Sequence, residues 1–175
     1  MTNTPTLYFL RSSEQYILDK MLPYAYRLDT LGKEASDVEA LSIYRDFYGF
    51  TNKDLGLYAM LNNEVAGAIW SRRLNHQEAP SISLAVMPKY RKQGIARAML
   101  EQFISEAGAL YDEVQVELIE ESSLDALYKK FGFEMIEYAG KSLVDGKKTI
   151  KLVRKLERAE PVRPSDNYDP RRWMD

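Results

Sequence analysis

The chain has no cysteine, and one histidine, His76, in 175 residues. The first absence removes disulfides, thiolate metal sites and a cysteine nucleophile. The second argues against a histidine-built zinc site, because catalytic zinc usually takes at least two such ligands. An excess of one charge sign is also missing: 24 basic and 26 acidic residues leave a net charge of -2. A general nucleic-acid binder carries a marked basic excess, so no nucleic-acid partner is expected, although a local basic patch is still allowed. No apolar run approaches the roughly 20 residues that cross a bilayer. The opening segment, MTNTPTLYFLRSSEQ, lacks the basic start and long apolar stretch of a signal peptide. The expectation is a cytoplasmic protein with no membrane partner.

What is present suits a folded domain. Hydrophobic residues make up 45% and charged residues 29%, enough apolar surface at this length for a full core. Residues 6–11 read as a short strand, being rich in aromatic and β-favouring types. Ser12 and Ser13 then start a helix to about Tyr26, with Gln15 placed to complete a capping box on Ser12 and Pro23 placed to kink or end it. A second helix is expected from Ser36 or Asp37 to about Tyr48, closed by Gly49. Residues 56–61 and 65–74 form a hairpin around Asn62-Asn63-Glu64, since Asn accepts the positive φ of a tight turn. A strand over 81–87 stops at Pro88, which offers no N–H to a ladder. Residues 94–108 have an apolar repeat of three to four, the period of an amphipathic helix. A strand at 113–119, a short helix to about Lys130 ended by Gly132, and strands at 133–138 and 147–156 complete the order. From residue 157 the composition changes to an irregular tail with three prolines, in which Trp173 alone suggests packing. The expected organisation is therefore one domain over 1–156 and a tail over 157–175. Strands mixed with helices in this order imply an α/β (α+β) fold: a mixed sheet flanked by helices on both faces.

The chemistry concentrates in SISLAVMPKYRKQGIARAMLEQFISEA, residues 81–107. A buried strand enters a basic turn, and the turn opens a helix. The first N–H groups of that helix have no partner within it and lie at the positive end of its dipole. Gly94 lets a ligand approach the backbone, and Arg91, Lys92 and Arg97 add positive charge. Together these features suit a diphosphate. Other phosphate loops fit poorly. A dinucleotide fingerprint needs three glycines where this turn has one. A Walker A loop needs G-x-x-x-x-G-K-[ST], and Gly140-Lys141-Ser142 lacks its first glycine, Met135 standing there.

Arg91-Lys92-Gln93-Gly94-Ile95-Ala96 resembles the [QR]-x-x-G-x-[GA] signature of the GNAT superfamily of N-acetyltransferases. Downstream, Leu127-Tyr128-Lys129-Lys130-Phe131-Gly132-Phe133 is similar to the L-Y-x-x-x-G-F stretch of the same family, with room for one strand between the blocks. The resemblance covers about residues 55–156. It implies a GNAT-like fold with a mostly antiparallel sheet of about seven strands, and acetyl-CoA as the acyl donor. Its implied cofactor contacts are Leu84 and Val86 on the strand, which would bulge and splay there, and Arg91, Lys92, Gln93, Gly94, Ile95, Ala96 and Arg97 in the turn. Tyr128 takes the family's general-acid place. Glu121 stands where many members have an asparagine, and Ser122 could replace that contact. Homodimers are common among such enzymes.

The implied reaction is acetyl transfer to a primary amine of a small molecule or a protein, by direct attack in a ternary complex, with no metal. A phenol near pKa about 10 can donate toward a departing thiolate, whose thiol has a pKa of about 8.5. The amine must lose a proton, and Glu117, Glu120 and Glu121 are candidate bases. Tyr24, Tyr26, Arg27 and Asp29 fall where the family's substrate loop lies. Trp70 and Arg72 share one strand face, either as pocket lining or as ordinary half-buried surface. His76 sits in a polar loop. The net charge gives slight favour to cationic acceptors. Two alternatives stand beside the enzyme: a non-catalytic acyl-CoA-binding sensor or interaction module, and a nucleotide phosphate binder.

Overall fold

Runs rich in Leu, Ile, Val and Tyr, broken by turn residues, set the strands, and a three-to-four apolar repeat sets the helices between them. The computed structural model describes residues 4–34, 38–46, 48–49, 54–73, 79–120, 122–142 and 144–157. In chain order they give β1 (Thr6–Phe9), α1 (Gln15–Ala25), β2 (Gly56–Leu61), β3 (Glu64–Arg72), β4 (Ser81–Val86), α2 (Ile95–Ala107), β5 (Glu113–Ile119), α3 (Leu124–Lys130), β6 (Glu134–Lys141) and β7 (Lys148–Lys155). One seven-stranded sheet results, in the order β1-β2-β3-β4-β5-β7-β6. Every neighbouring pair is antiparallel except β4 and β5. The mixed, mostly antiparallel sheet with helices on both faces agrees with the expected α/β (α+β) class.

The alternation of side chains along each strand divides the core in two. On one face, Leu84 and Val86 of β4 join Met99, Leu100 and Phe103 of α2 and Val116 of β5. On the other, Ala85 of β4 and Trp70 of β3 meet Ile17, Leu18, Met21 and Leu22 of α1. Met99, Leu100 and Phe103 are fully buried, worth roughly 1.5–3 kcal/mol each against exposure. Gly67 permits this closeness. A Cβ there would lie 2.6 Å from the Ala85 carbonyl and 3.0 Å from the Met99 methyl.

Three local expectations differ from the structure. The capping pair at the start of the first helix is Arg11 and Glu14, not Ser12 and Gln15: the Arg11 N–H donates to Glu14 Oε1 at 2.8 Å. A single 3-10 turn over Ser12–Glu14 then leads into α1, which accommodates Pro23 before ending at Ala25. The second predicted helix is a 3-10 helix, Glu39–Tyr44; the proposed start at Ser36 or Asp37 lies outside the described residues. The other predicted elements fall within three residues of their expected ends. At the hairpin turn Asn62 and Asn63 both take positive φ, 53° and 63°. No described helix is long and apolar enough to cross a membrane.

Candidate functional site

Among the described residues the sheet opens between β4 and β5, and parallel pairing explains it. β4 and β5 meet at a single position, Ser81 with Gln115. The buried Gln115 side chain holds that end by donating to the Ala79 carbonyl at 2.9 Å. Beyond it the two strands separate. The expected bulge in β4 is not seen: β4 runs in unbroken register with β3, and the nearest shift, between the pairs Ala59–Gly67 and Met60–Val65, leaves its extra residue, Ala66, in β3. A parallel pair linked through α2 need not stay paired along its length, and strand twist carries the free ends apart.

The register also fixes which backbone groups face the opening. The Met87 N–H bonds Ala66 on β3 at 2.8 Å. Antiparallel ladders alternate, so Leu84 and Val86 turn their amides the other way, toward β5. The Val86 carbonyl receives the Arg91 Nε at 3.1 Å.

The turn after β4 is open to solvent. Pro88–Tyr90 form a 3-10 turn. The buried Tyr90 anchors it by donating to Glu64, which also pairs with Lys89. Lys92 and Gly94 take left-handed conformations, φ 63° and 82°. Lys92, Gln93 and Gly94 are exposed, and a Cβ on Gly94 would meet nothing within 4 Å. Ile95 is buried and anchors the start of α2. The first bond into α2 runs from the Ala98 N–H to the Gly94 carbonyl at 3.0 Å, and no side chain caps the helix. The N–H groups of Ile95, Ala96 and Arg97 are therefore free of the helix ladder. Lys92 and Arg97 have no ion-pair partner among the described residues. Arg91 is engaged by the protein, through Val86 and through Asp29 Oδ2 at 3.9 Å.

A cavity of about 720 Å³ joins the turn to the separated strands. Leu84, Val86, Arg91, Lys92, Gly94, Ile95, Ala96 and Arg97 line it; Gln93 does not. Val116, Glu117 and Leu118 form the β5 side, and Ser122, Leu124 and Leu127 the edge of α3. Tyr24, Tyr26, Arg27 and Tyr44 close the α1 side. A long, phosphate-bearing thioester cofactor fits these residues: an open cationic turn, free helix amides and a strand edge in one continuous groove.

Tyr128 lies at the back of this groove rather than in its lining. It is fully buried, with its ring edge-on to Phe133 at 5.0 Å. Its hydroxyl has no hydrogen-bond partner among the described residues, and burial pushes the phenol far above its ordinary range. Buried polar groups seldom go unmatched. Tyr26 is close enough to feel its charge. The Tyr26 hydroxyl shares a 2.6 Å hydrogen bond with Ser83 Oγ, and its ring tilts against Tyr44 at 4.9 Å. Burial pushes the Tyr26 phenol well above the usual range, Tyr44 adds to this, and the Ser83 bond partly offsets it. Burial and then the Glu117 carboxylate raise Tyr44.

Other expectations sort cleanly. Of the three glutamates, Glu117 lines the cavity. Glu120 accepts from the Tyr138 hydroxyl at 3.5 Å, outside the cavity. Glu121 and His76 lie outside the described residues, as do most of the tail and Trp173. Trp70 is core, donating its Nε1–H to the Tyr44 carbonyl at 2.6 Å. Arg72 pairs with Asp54 at 3.4 Å. Ser83, Tyr44, Gln115, Thr149 and Lys151 have no motif around them, and sequence reasoning missed them. The cavity lining holds one carboxylate and five Lys or Arg side chains.

Residues 53–135 match the family model described as an acetyltransferase (GNAT) domain. Three solved structures share the fold at low identity. The ribosomal-protein-S18-alanine N-acetyltransferase from Escherichia coli is 19% identical at a TM-score of 0.61, over 95% of this chain and 99% of that one. A GNAT-family acetyltransferase from Streptococcus pneumoniae is 14% identical at 0.66, over 87% and 99%. A GNAT-superfamily phosphinothricin acetyltransferase from Sinorhizobium meliloti, solved with AcCoA, is 18% identical at 0.64, over 100% of both chains. No curated protein matches the chain in sequence.

Proposed function

We propose that the chain moves an acetyl group from acetyl-CoA to a primary amine, by direct attack in a ternary complex; the match of residues 53–135 to an acetyltransferase (GNAT) domain and the fold shared with solved GNAT enzymes support this reading. One observation carries this reading: an open cationic turn at the start of α2 runs into the gap between β4 and β5. Acetyl-CoA supplies the activated thioester. The N–H groups of Ile95, Ala96 and Arg97, with Lys92 and Arg97 beside them, hold the diphosphate. Gln93 flanks them, and Arg91 braces the turn against Val86. The free amides of Leu84 and Val86 hold the cofactor's amide chain as an added strand would. Fixing both reactants in one cleft can contribute about 7–11 kcal/mol.

Tyr128 keeps its proton at Oη. A phenol raised above its ordinary value is a weak acid, so in a catalytic role Tyr128 acts as a hydrogen-bond donor rather than as a proton source. Glu117 is the carboxylate placed to take up the amine's proton, directly or through water. The fold accepts both kinds of amine: the similar structures include, by name, enzymes for a ribosomal-protein alanine and for phosphinothricin.

Calorimetric titration with acetyl-CoA tests the site. The native chain should bind, and Gly94→Glu should lose binding, because its carboxylate stands where the diphosphate lies. Undiminished affinity in that variant rejects the site. A second reading, a non-catalytic acyl-CoA sensor, draws support from the sealed position of the Tyr128 hydroxyl. Release of CoA with any amine in a broad library excludes it.

A further inference from the structure

The cleft's charge is opposite to that of the chain. Its lining has one carboxylate, Glu117, against Arg27, Arg91, Lys92, Arg97 and Lys151, in a protein of net charge -2. Three of these cations belong to the turn, where Lys92 and Arg97 answer to the diphosphate and Arg91 braces the backbone. Arg27, just after α1, and Lys151, on β7, do not. Lys151 stands directly opposite Glu117 in the β5–β7 register, about 5 Å away at Cβ for such a pair. Yet Lys151 leans outward, its Nζ 3.4 Å from Glu137 Oε1 on β6. Glu117 is left with no hydrogen bond or ion pair among the described residues. Arg27 is fixed by Asp145 at 2.9 Å. Each of these bonds steadies a cation without using all its donors: lysine has three and arginine five.

The Tyr26 and Tyr44 rings face the same space as Glu117, each near enough to feel its charge. A carboxylate beside two phenol rings suits an ammonium. One strand further, Lys151 suits an anion. A second ammonium, as in a diamine or polyamine, would instead meet Lys151 and Arg27, and like charges there oppose binding.

We infer that the acceptor is a small zwitterion of amino-acid type: a primary amine held at Glu117, bearing a carboxylate or similar anion a few bonds away, held at Lys151. This deepens the acetyltransferase reading and rests on it. The preferred substrate is set by the anion as much as by the amine.

The experiment uses the full chain, acetyl-CoA, and thiol release as the readout. The probes are free amino acids, their carboxamides, and α,ω-diamines. The free acids should exceed their amides in kcat/KM by about tenfold or more, the worth of one charge-assisted hydrogen bond. Lys151→Gln should raise KM for the acids about tenfold and erase that preference, while acetyl-CoA affinity and the melting temperature stay unchanged. Glu137→Gln, which frees Lys151 from its outer partner, should keep the preference. Equal or better turnover of amides or diamines overturns the inference, as does a chain that binds acetyl-CoA but acetylates no free amino acid. Failure to bind acetyl-CoA at all is a separate result: it removes the acetyltransferase reading itself.

Discussion

A phenol sealed in a core without a partner costs stability, because its water-facing hydrogen bonds are lost and nothing replaces them. Among the described residues Tyr128 has no such partner. Replacing it with phenylalanine keeps the ring against Phe133 and deletes the unmatched atom. Tyr128→Phe should therefore be more stable than the native chain by about 1 kcal/mol in urea unfolding. If Tyr128 serves catalysis, the same variant should lose about tenfold or more in kcat with acetyl-CoA affinity unchanged. A less stable variant would mean that the hydroxyl has a partner in the folded protein. An equally active one would remove its role. Stability and activity moving in opposite directions is the mark of a group held for chemistry rather than for packing.

At the scale of elements, the opening between β4 and β5 depends on its closed end. Gln115 fastens that end by reaching the Ala79 carbonyl. Gln115→Leu should leave that carbonyl unmatched and cost about 1–3 kcal/mol. It should also weaken acetyl-CoA binding, since Leu84 and Val86 would shift with the strand. Wild-type affinity in a destabilised variant would show that the strand edge does not contribute. Much of the frame was legible in the sequence, and the reasons are physical. Asn62-Asn63 fixes a turn through backbone preference, and Gly94 marks where a ligand can reach the backbone before a helix; both are local effects. The α2 repeat and the strands 56–61 and 113–119 were legible because burial imposes a period. The rest depends on distance in space. Glu117 and Lys151 are 34 positions apart in the sequence, and only strand pairing sets them side by side. Tyr44 reaches the cleft from a 3-10 turn whose position over the sheet no local pattern sets, and Ser83 looks like any small residue in a buried strand. The splay follows from parallel pairing at one position, which no composition signal announces.

The whole molecule buries an unusual set of phenols. Burial is the first cause of the raised ionisation of Tyr26, Tyr48, Tyr111 and Tyr128, and Tyr111 is pushed up to about 12. An unfolded tyrosine titrates near about 10. As pH rises past that value the unfolded chain gives up these protons first, so the folded state binds more and stability falls with pH. The contribution is intact below about pH 10 and is lost progressively as the folded values are reached. The urea midpoint should drop clearly between about pH 8 and about pH 11, with phenolate absorbance rising at the unfolding transition. An unchanged midpoint would mean that these hydroxyls ionise freely in the native protein.

The hydrogen bond from Trp70 to the Tyr44 carbonyl gives the protein its own optical probe. The sequence has two tryptophans, so Trp173→Phe leaves a single indole, wired to the wall of the cleft. Its emission colour depends on that one polar contact. When a ligand presses on Tyr44, the fluorescence should report it without any attached dye, and the two reactants can be told apart by the order in which each changes the signal.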